Sequence, residues 1–413
     1  MHCAPYHPVR LPAALLSGIL LLAASSAPAQ VAGGAPAPGP RPYAQAAPPS
    51  DDSVFDAAVK AVGKGEAREW LAKAEASLAR PPADRAAAVP VIALLLANGD
   101  TEPALKVYAA WAQAAQREDA ALLSRLAGGV LRQLEQAPLA EVRARSLEAR
   151  ARAGDRTART QLESRRNARP ETPDSWESTL ALARLGDPAA ATEVVGAARA
   201  ATGSQRVAVL GAFRGVPTTP AMIDAIALAL AEGDDVVRDA AADAATGRPA
   251  PALVEPLRRV MHTARFTAPL RAAVALVRAG DENGRARVDA ALTGPLPDGR
   301  LLAARAYVAR PDTGWVTSIE PLLADANALY RIYAAELLMP VRPSQALAAL
   351  APMLVDENPV LRAEAMRVAG LAPAPPLPAL RAGLGDANPW TRFHAAQALA
   401  AKPAPAPAAP RPR

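Results

Sequence analysis

The chain has 413 residues, a formal net charge of +6 and one cysteine, Cys3. A single cysteine excludes a disulfide framework and any cluster of thiolate ligands for a metal. Hydrophobic residues make up 51% of the chain but aromatic residues only 4%, so alanine supplies much of the apolar content. Alanine has the highest helix propensity and lets helices approach closely, which favours an all-α protein. No segment alternates polar and apolar residues with a period of two, so we predict no sheet.

Residues 1–29 have the features of a secretory signal. Arg10 precedes an apolar run at 11–24, and Ala27-Pro28-Ala29 fits the small-residue pattern of a cleavage site. Cleavage after Ala29 would deliver a periplasmic or secreted protein without a transmembrane segment. The alternative is an uncleaved signal that anchors the chain in the inner membrane, although the apolar run is short for a membrane span.

Three further segments lie outside residues 132–401, which contain the sequence repeat described below. Residues 30–50 are rich in proline and alanine and are predicted to form a linker, and residues 402–413 form a tail of similar composition. Residues 51–131 are helical but only loosely periodic. We interpret 51–131 as divergent hairpins that cap a repeat array, because terminal repeats are expected to be atypical. A separate all-α domain is the alternative.

Residues 132–401 contain a sequence repeat with a stride of about 31 residues. In the clearest copies an aspartate precedes an arginine by six residues, and small or apolar residues follow that arginine at three and four positions. Residues three and four apart share one face of a helix, so each marker arginine should open a helix with a small apolar face. The nine markers are Arg143, Trp176, Arg206, Arg238, Arg271, Arg300, Arg331, Arg362 and Arg392.

A second motif marks the end of these helices. Arg-x-Gly-Asp occurs at 152–155, 184–187 and 278–281, and Ala-Asn-Gly-Asp occurs at 97–100. Glycine just past a helix suits the left-handed closing residue, and the following aspartate can cap the next helix. Each unit is therefore predicted to be helix, turn, helix, turn. The whole region is predicted to form an α-solenoid of antiparallel helical hairpins.

This pattern resembles the HEAT repeat, most closely the HEAT-like class that also occurs in phycobilisome lyases. The resemblance implies a superhelical array, which nine units at the usual spacing of packed helices would extend into an arc on the order of 90 Å. It also implies a structural ladder of aspartate and arginine between repeats. The ladder residues would be Asp325, Arg331, Asp356, Arg362, Asp386 and Arg392.

By the same resemblance, the second helix of each unit lines the concave side, where the residues two and five after each marker should be exposed. These residues have mixed charge and lie near aromatic side chains, which favours a protein or peptide partner over nucleic acid. The alternative for the aromatic residues is packing between repeats. The candidate binding residues on this face are Arg145, Arg305, Tyr333, Glu336, Arg367, Trp390, Phe393 and His394.

The segment 132–170 holds ten arginines and five acidic residues. This surplus of five positive charges is almost the whole net charge of +6. This surplus could bind an acidic protein, anionic lipid or envelope polysaccharide through the arginine-rich segment 143–166, which includes Arg156, Arg159 and Arg166. The alternative is a solvated outer face on an arginine-rich chain.

Residues with catalytic chemistry are scarce. Outside the signal the only histidines are His262 and His394, and no zinc motif, nucleophile triad or glycine-rich phosphate loop is present. The HEAT-like class includes chromophore lyases, but such a lyase would need a chromoprotein in the same compartment, which export argues against. We expect a non-catalytic scaffold without cofactor or metal that binds a protein partner through its concave face.

Overall fold

The computed structural model describes residues 51–63, 85–168, 172–310 and 313–400. The predicted signal, linker and tail lie outside these ranges. Within them the chain forms 21 α-helices and no β-strand, which confirms the all-α prediction.

The first three helices precede the repeats. They are α1 (Asp51–Gly63), α2 (Arg85–Asn98) and α3 (Thr101–Ala115), and each packs against the next. Helix α3 packs in turn on α4 (Ala120–Leu134), and Trp111 of α3 belongs to the same buried cluster as Leu126 of α4. The sequence boundary at residue 131 therefore falls inside α4, which is the first helix of the first repeat.

Nine hairpins follow, in two layers. The first helices of the hairpins are α4, α6 (Arg156–Ala168), α8 (Pro188–Ala200), α10 (Pro220–Glu232), α12 (Pro251–Thr263), α14 (Arg285–Leu292), α16 (Val316–Ile319), α18 (Pro343–Leu350) and α20 (Leu377–Leu384). The second helices are α5 (Ala140–Arg152), α7 (Pro173–Arg184), α9 (Gly203–Ala212), α11 (Asp235–Ala245), α13 (Ala268–Arg278), α15 (Pro297–Ala304), α17 (Ala328–Leu338), α19 (Pro359–Ala369) and α21 (Pro389–Ala400). Short 3-10 turns adjoin three of the first helices, at Glu282–Gly284, Glu320–Ala324 and Met353–Val355. The predicted nine-unit α-solenoid is confirmed.

Burial distinguishes the two layers. The second helix α13 buries nine of its 11 residues, whereas the first helix α6 buries only Ala158 and Leu162 among 13. A helix that is buried almost all round lies inside the structure, and one with a narrow buried stripe lies on its surface. The second helices therefore form the inner layer and the first helices the outer layer, although the inner helix α9 buries only Leu210 among its ten residues.

The glycine–aspartate turns adopt the geometry that the sequence predicts. Gly99, Gly154, Gly186 and Gly280 all have a positive φ, between 85° and 99°. At each turn the N–H of the following aspartate donates to a carbonyl five residues earlier, for example from Asp187 to Leu182 at 3.0 Å. This is the bond that satisfies an otherwise unpaired carbonyl at a helix C-terminus.

Four of the marker arginines bind the backbone of the turn in front of their own helix. The guanidinium of Arg331 donates to the carbonyl of Asp325 at 2.6 Å, and that of Arg362 donates to the carbonyl of Asp356 at 2.7 Å. Arg143 and Arg300 make the same kind of bond, which explains why arginine recurs at this position in the repeat.

The aspartate–arginine ladder therefore differs from the one that the resemblance implies. The carboxylates of Asp325, Asp356 and Asp386 accept from the backbone N–H two residues later, within their own turns. Only Asp386 also pairs with an arginine of the preceding repeat, through two bonds from Arg362 at 2.8 and 3.1 Å. The backbone N–H and C=O groups of each turn need hydrogen-bond partners, and they bind the aspartate and the arginine that a ladder would use.

The inner helices run parallel to one another. Arg143 near the start of α5 binds Asp174 near the start of α7, while Arg152 at the end of α5 donates to the carbonyl of Arg184 at the end of α7. The N-terminal ends of the two helices are therefore adjacent, and so are their C-terminal ends. All inner helices begin at one edge of the array, which we call the N-terminal rim, and end at the other.

The array closes on itself, which the sequence did not predict. Helix α21 packs against α4 and α5, and α20 packs against α4, so the ninth hairpin contacts the first. Phe393, Leu380 and Leu384 share one buried cluster with Leu126 and Leu131. Arg381 of the ninth hairpin forms an ion pair of 3.3 Å with Glu118. The expected open arc is therefore wrong, and the hairpins form a ring around a central lumen.

Replacing Gly186 with alanine should lower the free energy of unfolding by about 1–2 kcal/mol, because its φ of 85° is unfavourable for a residue with a Cβ. No neighbouring atom lies within 4 Å of the added Cβ, so backbone strain is the only cost. Gly196 is an exposed residue in the middle of α8 with equal space around it, and Gly196→Ala should instead stabilise by up to about 1 kcal/mol. Urea titration of both variants measures the difference, and equal effects would contradict the turn geometry.

Candidate functional site

The expected concave binding face is the wall of the lumen, and its charged residues are buried. Glu336 is 5% exposed, Tyr333 6% and Arg305 9%, although we expected these positions to be exposed. Contacts between neighbouring inner helices explain the difference, because charged side chains of one helix lie against those of the next. The charged groups are consequently paired among themselves, in three networks.

One network joins α17 and α19. Arg367 donates two hydrogen bonds to the carboxylate of Glu336, at 2.8 and 2.9 Å, and a third to Glu364 at 3.0 Å. Burial alone would lower the pKa of Arg367, but the bonds and charges of these two carboxylates raise its pKa above the ordinary value. Breaking such a buried pair by removing one partner typically costs about 3–5 kcal/mol.

A second network centres on Asp243 of α11. Its carboxylate accepts from Arg271 at 2.6 Å and from Arg214 at 3.1 Å, and lies 3.6 Å from the guanidinium of Arg305. Arg305 follows α15, two hairpins beyond α11, so this contact reaches past an entire repeat. Burial lowers the pKa of Arg305, and the charges of Asp243 and then Glu336 counter part of that change.

The third network centres on Glu148 of α5, which is 4% exposed. Arg145, Arg152 and Arg184 surround its carboxylate at 3.1, 2.7 and 3.6 Å. Burial, followed by the nearby charge of Arg145, lowers the pKa of Arg184 to about 10. Three guanidinium groups thus share one buried carboxylate, and the charges of Glu177 and Glu141 also act on Arg184.

His394 lies where the ring closes. Its ring stacks on Trp390 with centroids 5.7 Å apart and meets the edge of Phe393 at 5.2 Å. Its Nδ1 is enclosed and has no hydrogen-bond partner. Burial, followed by the charges of Arg367 and Arg145, lowers the pKa of His394 to about 3. Phe393 is 1% exposed and packs in the core between hairpins, and Trp390 is half-buried.

The arginine-rich segment is largely neutralised within the protein. Arg159 pairs with Glu163 and Asp187, and Arg166 pairs with Glu193 at 2.8 Å. Arg150 bridges Glu135 and Asp155, and Arg143 binds Asp174. Arg156 is exposed. Much of the local surplus of positive charge therefore stabilises contacts within and between hairpins.

Sequence reasoning missed the role of the arginine in the Arg-x-Gly-Asp motif. Arg152, Arg184 and Arg278 each donate to the carbonyl at the end of the next inner helix, namely Arg184, Arg214 and Arg305, at 3.4, 3.3 and 3.0 Å. The last carbonyls of a helix lack intrahelical donors and carry partial negative charge. The recurrence of arginine two residues before each glycine was the signal for this cross-link between repeats.

Exposed apolar side chains collect at the N-terminal rim. Of the eight large hydrophobic residues that are exposed in the described ranges, five immediately precede or open an inner helix, and a sixth, Val355, ends the 3-10 turn before α19. They are Leu139, Val236, Phe266, Leu296, Val355 and Val360. Phe266 is the extreme case, because its side chain is 86% exposed and its φ is +59°. A bulky residue in the left-handed region is strained, and such strain marks candidate functional positions.

The described residues contain neither a candidate metal site nor a helix suited to cross a membrane. No group of three histidine, cysteine or carboxylate side chains there is arranged to hold a metal ion. None of the helices in these ranges combines the length and the apolar character that crossing a bilayer requires.

Comparison with known proteins finds a similar solved structure but no matching family. No protein-family profile matches the chain, and no curated protein matches it. Among solved structures, human deoxyhypusine hydroxylase in complex with glycerol is similar at 18% sequence identity with a TM-score of 0.34. The match covers 60% of this chain and 97% of that chain. A likeness at this level carries no inference about activity.

The half-buried His394 makes stability depend on pH. Its folded pKa of about 3 lies below the value of 6.5 in an unfolded chain, so the unfolded state binds more protons between these values. Stability from this group is fully present above pH 6.5 and falls as pH drops, with a limiting slope of about 1.4 kcal/mol per pH unit. Urea unfolding of His394→Gln between pH 7 and 5 should show a flatter profile than the wild type. Replacing the exposed His262 with glutamine is the matched control, and a profile unchanged in His394→Gln would contradict this assignment.

Proposed function

We propose that this protein is an exported, non-catalytic scaffold with HEAT-like repeats, which binds a protein partner at its N-terminal rim. The observation that carries the proposal is Phe266, a phenylalanine exposed on a strained backbone among other exposed apolar residues. Exposed aromatic side chains are enriched among the residues that dominate protein–protein affinity. The partner we expect is an exported protein with an apolar pocket that receives this ring.

The rim is better suited to a partner than the concave face that the sequence favoured. Charged residues of the lumen are already paired, as in the contact of Glu336 with Arg367. A partner that entered the lumen would have to break these buried pairs. The rim offers apolar side chains whose burial is favourable, at roughly 25 cal/mol per Å² of apolar surface.

The non-catalytic part of the proposal is supported by the positions of the two histidines. A general base works best with a pKa near the operating pH, whereas the pKa of His394 is about 3. His262 lies on the outer helix α12 and is exposed. The export part is supported by the signal-like residues 1–29.

Binding of anionic envelope polymer is the competing function, through Arg156, Arg159 and Arg166. Arg159 and Arg166 are engaged in ion pairs, so we favour the rim. The two proposals differ in salt dependence, because screening weakens contacts between exposed charges far more than apolar contacts.

Changing the rim should abolish partner binding without unfolding the protein. We expect Phe266→Ser to lose the partner that the wild-type protein captures from envelope extract, since truncating a central aromatic anchor costs about 2–4 kcal/mol of binding free energy. Leu371 is 40% exposed and follows the inner helix α19 at the opposite edge, so Leu371→Ser is the matched control. Quantitative mass spectrometry of the captured proteins gives the comparison.

Two results would oppose this proposal. The rim would be excluded if Phe266→Ser and Leu371→Ser captured the same partner equally well. Loss of binding in the triple variant Arg156→Ala, Arg159→Ala and Arg166→Ala, together with steep weakening by salt, would instead support the anionic polymer.

A further inference from the structure

Buried polar atoms without a hydrogen-bond partner are concentrated in one sector of the ring. Eleven such side-chain atoms occur in the described residues, and seven of them belong to α21, α5 and α7, which adjoin one another where the ring closes. Buried polar atoms in native proteins are almost always paired with protein, water or a ligand. The seven atoms are Arg145 Nε, Ser146 Oγ, Ser178 Oγ, Arg184 Nη1, Thr391 Oγ1, Arg392 Nε and His394 Nδ1.

Four of these residues face the lumen together. Arg145, Ser178 and His394 each lie two positions after the repeat marker, so they occupy equivalent positions on three adjacent inner helices. Helix α21, which carries His394, packs against α5, which carries Arg145, and the charge of Arg145 lowers the pKa of His394. Arg184 joins the group through Glu148, which it shares with Arg145. We call these four residues the closure site.

The closure site is rich in hydrogen-bond donors. Arg145, Arg152 and Arg184 surround Glu148, the one carboxylate with which they form ion pairs. Glu177 lies nearby, and burial, followed by the charge of Glu141, raises its pKa. The unpartnered atoms include guanidinium N–H groups, which only donate, and a serine hydroxyl, which can donate. The missing partner is therefore a hydrogen-bond acceptor, and guanidinium groups bind acceptors that carry negative charge most strongly.

We propose that the closure site binds a small oxyanion, a carboxylate or phosphate group, between Arg145, Ser178, Arg184 and His394. Planar guanidinium groups match the oxygen spacing of both anions, and bonds to ionised acceptors are about twice as strong as neutral ones. A neutral imidazole can add one donor, from Nδ1 in the appropriate tautomer. Low hydration of this sector, which also depresses the pKa of His394, strengthens every such bond.

This inference is independent of the proposed function, because the lumen and the N-terminal rim carry different residues. The ligand is defined by its chemistry, which free phosphate and small carboxylic acids share. Water alone could satisfy some of the seven atoms, and in that case no saturable binding of either anion is expected. The two anions are therefore tested separately.

Isothermal titration calorimetry with inorganic phosphate and, separately, succinate measures this binding at constant ionic strength. We expect saturable 1:1 binding of at least one anion. Arg145→Gln should weaken that binding by about tenfold or more, the factor expected for losing one hydrogen bond between charged groups. The side chain of Arg145 is 31% exposed, so the variant should fold, and circular dichroism checks this.

The matched control is Arg199→Gln, which removes an arginine from the outer helix α8 whose side chain is 46% exposed. It should leave the affinity unchanged. Ser178→Ala gives a second test without a change of charge and should also weaken binding. Absence of saturable binding for both anions would overturn the proposal, as would an equal affinity of wild type and Arg145→Gln.

Discussion

Packing of the ninth hairpin against the first is the contact on which the rest of the structure depends. Each hairpin is rich in alanine, and a methyl group buries little apolar surface, so one hairpin cannot stabilise itself. In an open array the two terminal repeats lack a neighbour on one side. The ring removes both ends, because Phe393 of the last hairpin fills the same core as Leu126 of the first. A full turn shared by nine hairpins corresponds to a rotation of about 40° for each.

Packing between neighbouring inner helices determines the electrostatics of the lumen. It brings charged groups within reach of one another, and they form the networks around Glu148, Asp243 and Glu336. Buried ion pairs of this kind recover their desolvation cost only when the geometry is good, so they contribute more to the choice of one arrangement than to stability. Contacts such as Arg305 with Asp243, two hairpins apart, would hold the curvature of the ring at one value.

Much of the local structure could be predicted from the sequence because it depends on nearby residues. The left-handed φ of Gly186 and the helix cap formed by Asp187 depend on a few neighbouring residues and not on the rest of the chain. The spacing of the markers gave the number of hairpins for the same reason. Closure depends instead on the rotation between hairpins, and a small error in that angle accumulates over nine steps. Sequence patterns contain no direct measure of it.

The functional residues were harder to predict for a related reason. Whether Tyr333 and Glu336 are exposed depends on the side chains of the neighbouring inner helix, and Arg367 of that helix binds Glu336. The rim residues occur at turn positions, where single exposed hydrophobic residues are common and do not by themselves indicate a binding site. Their significance lies in the parallel inner helices, which bring all of them to the same edge. For Phe266 the strained φ is a property of the backbone that the sequence does not show.

The most direct test of the closed ring is an intramolecular cross-link between its ends. In the variant with Glu118→Cys, Arg381→Cys and Cys3→Ser, two thiols replace side chains that are 3.3 Å apart in the ring. A short bis-maleimide reagent should join residues 118 and 381 within one chain at high yield and low protein concentration, as measured by mass spectrometry of the digested protein. An open arc would separate these positions by tens of Å, on the order of 10 Å for each intervening repeat. Absence of the intramolecular cross-link in the folded protein would contradict the closed ring.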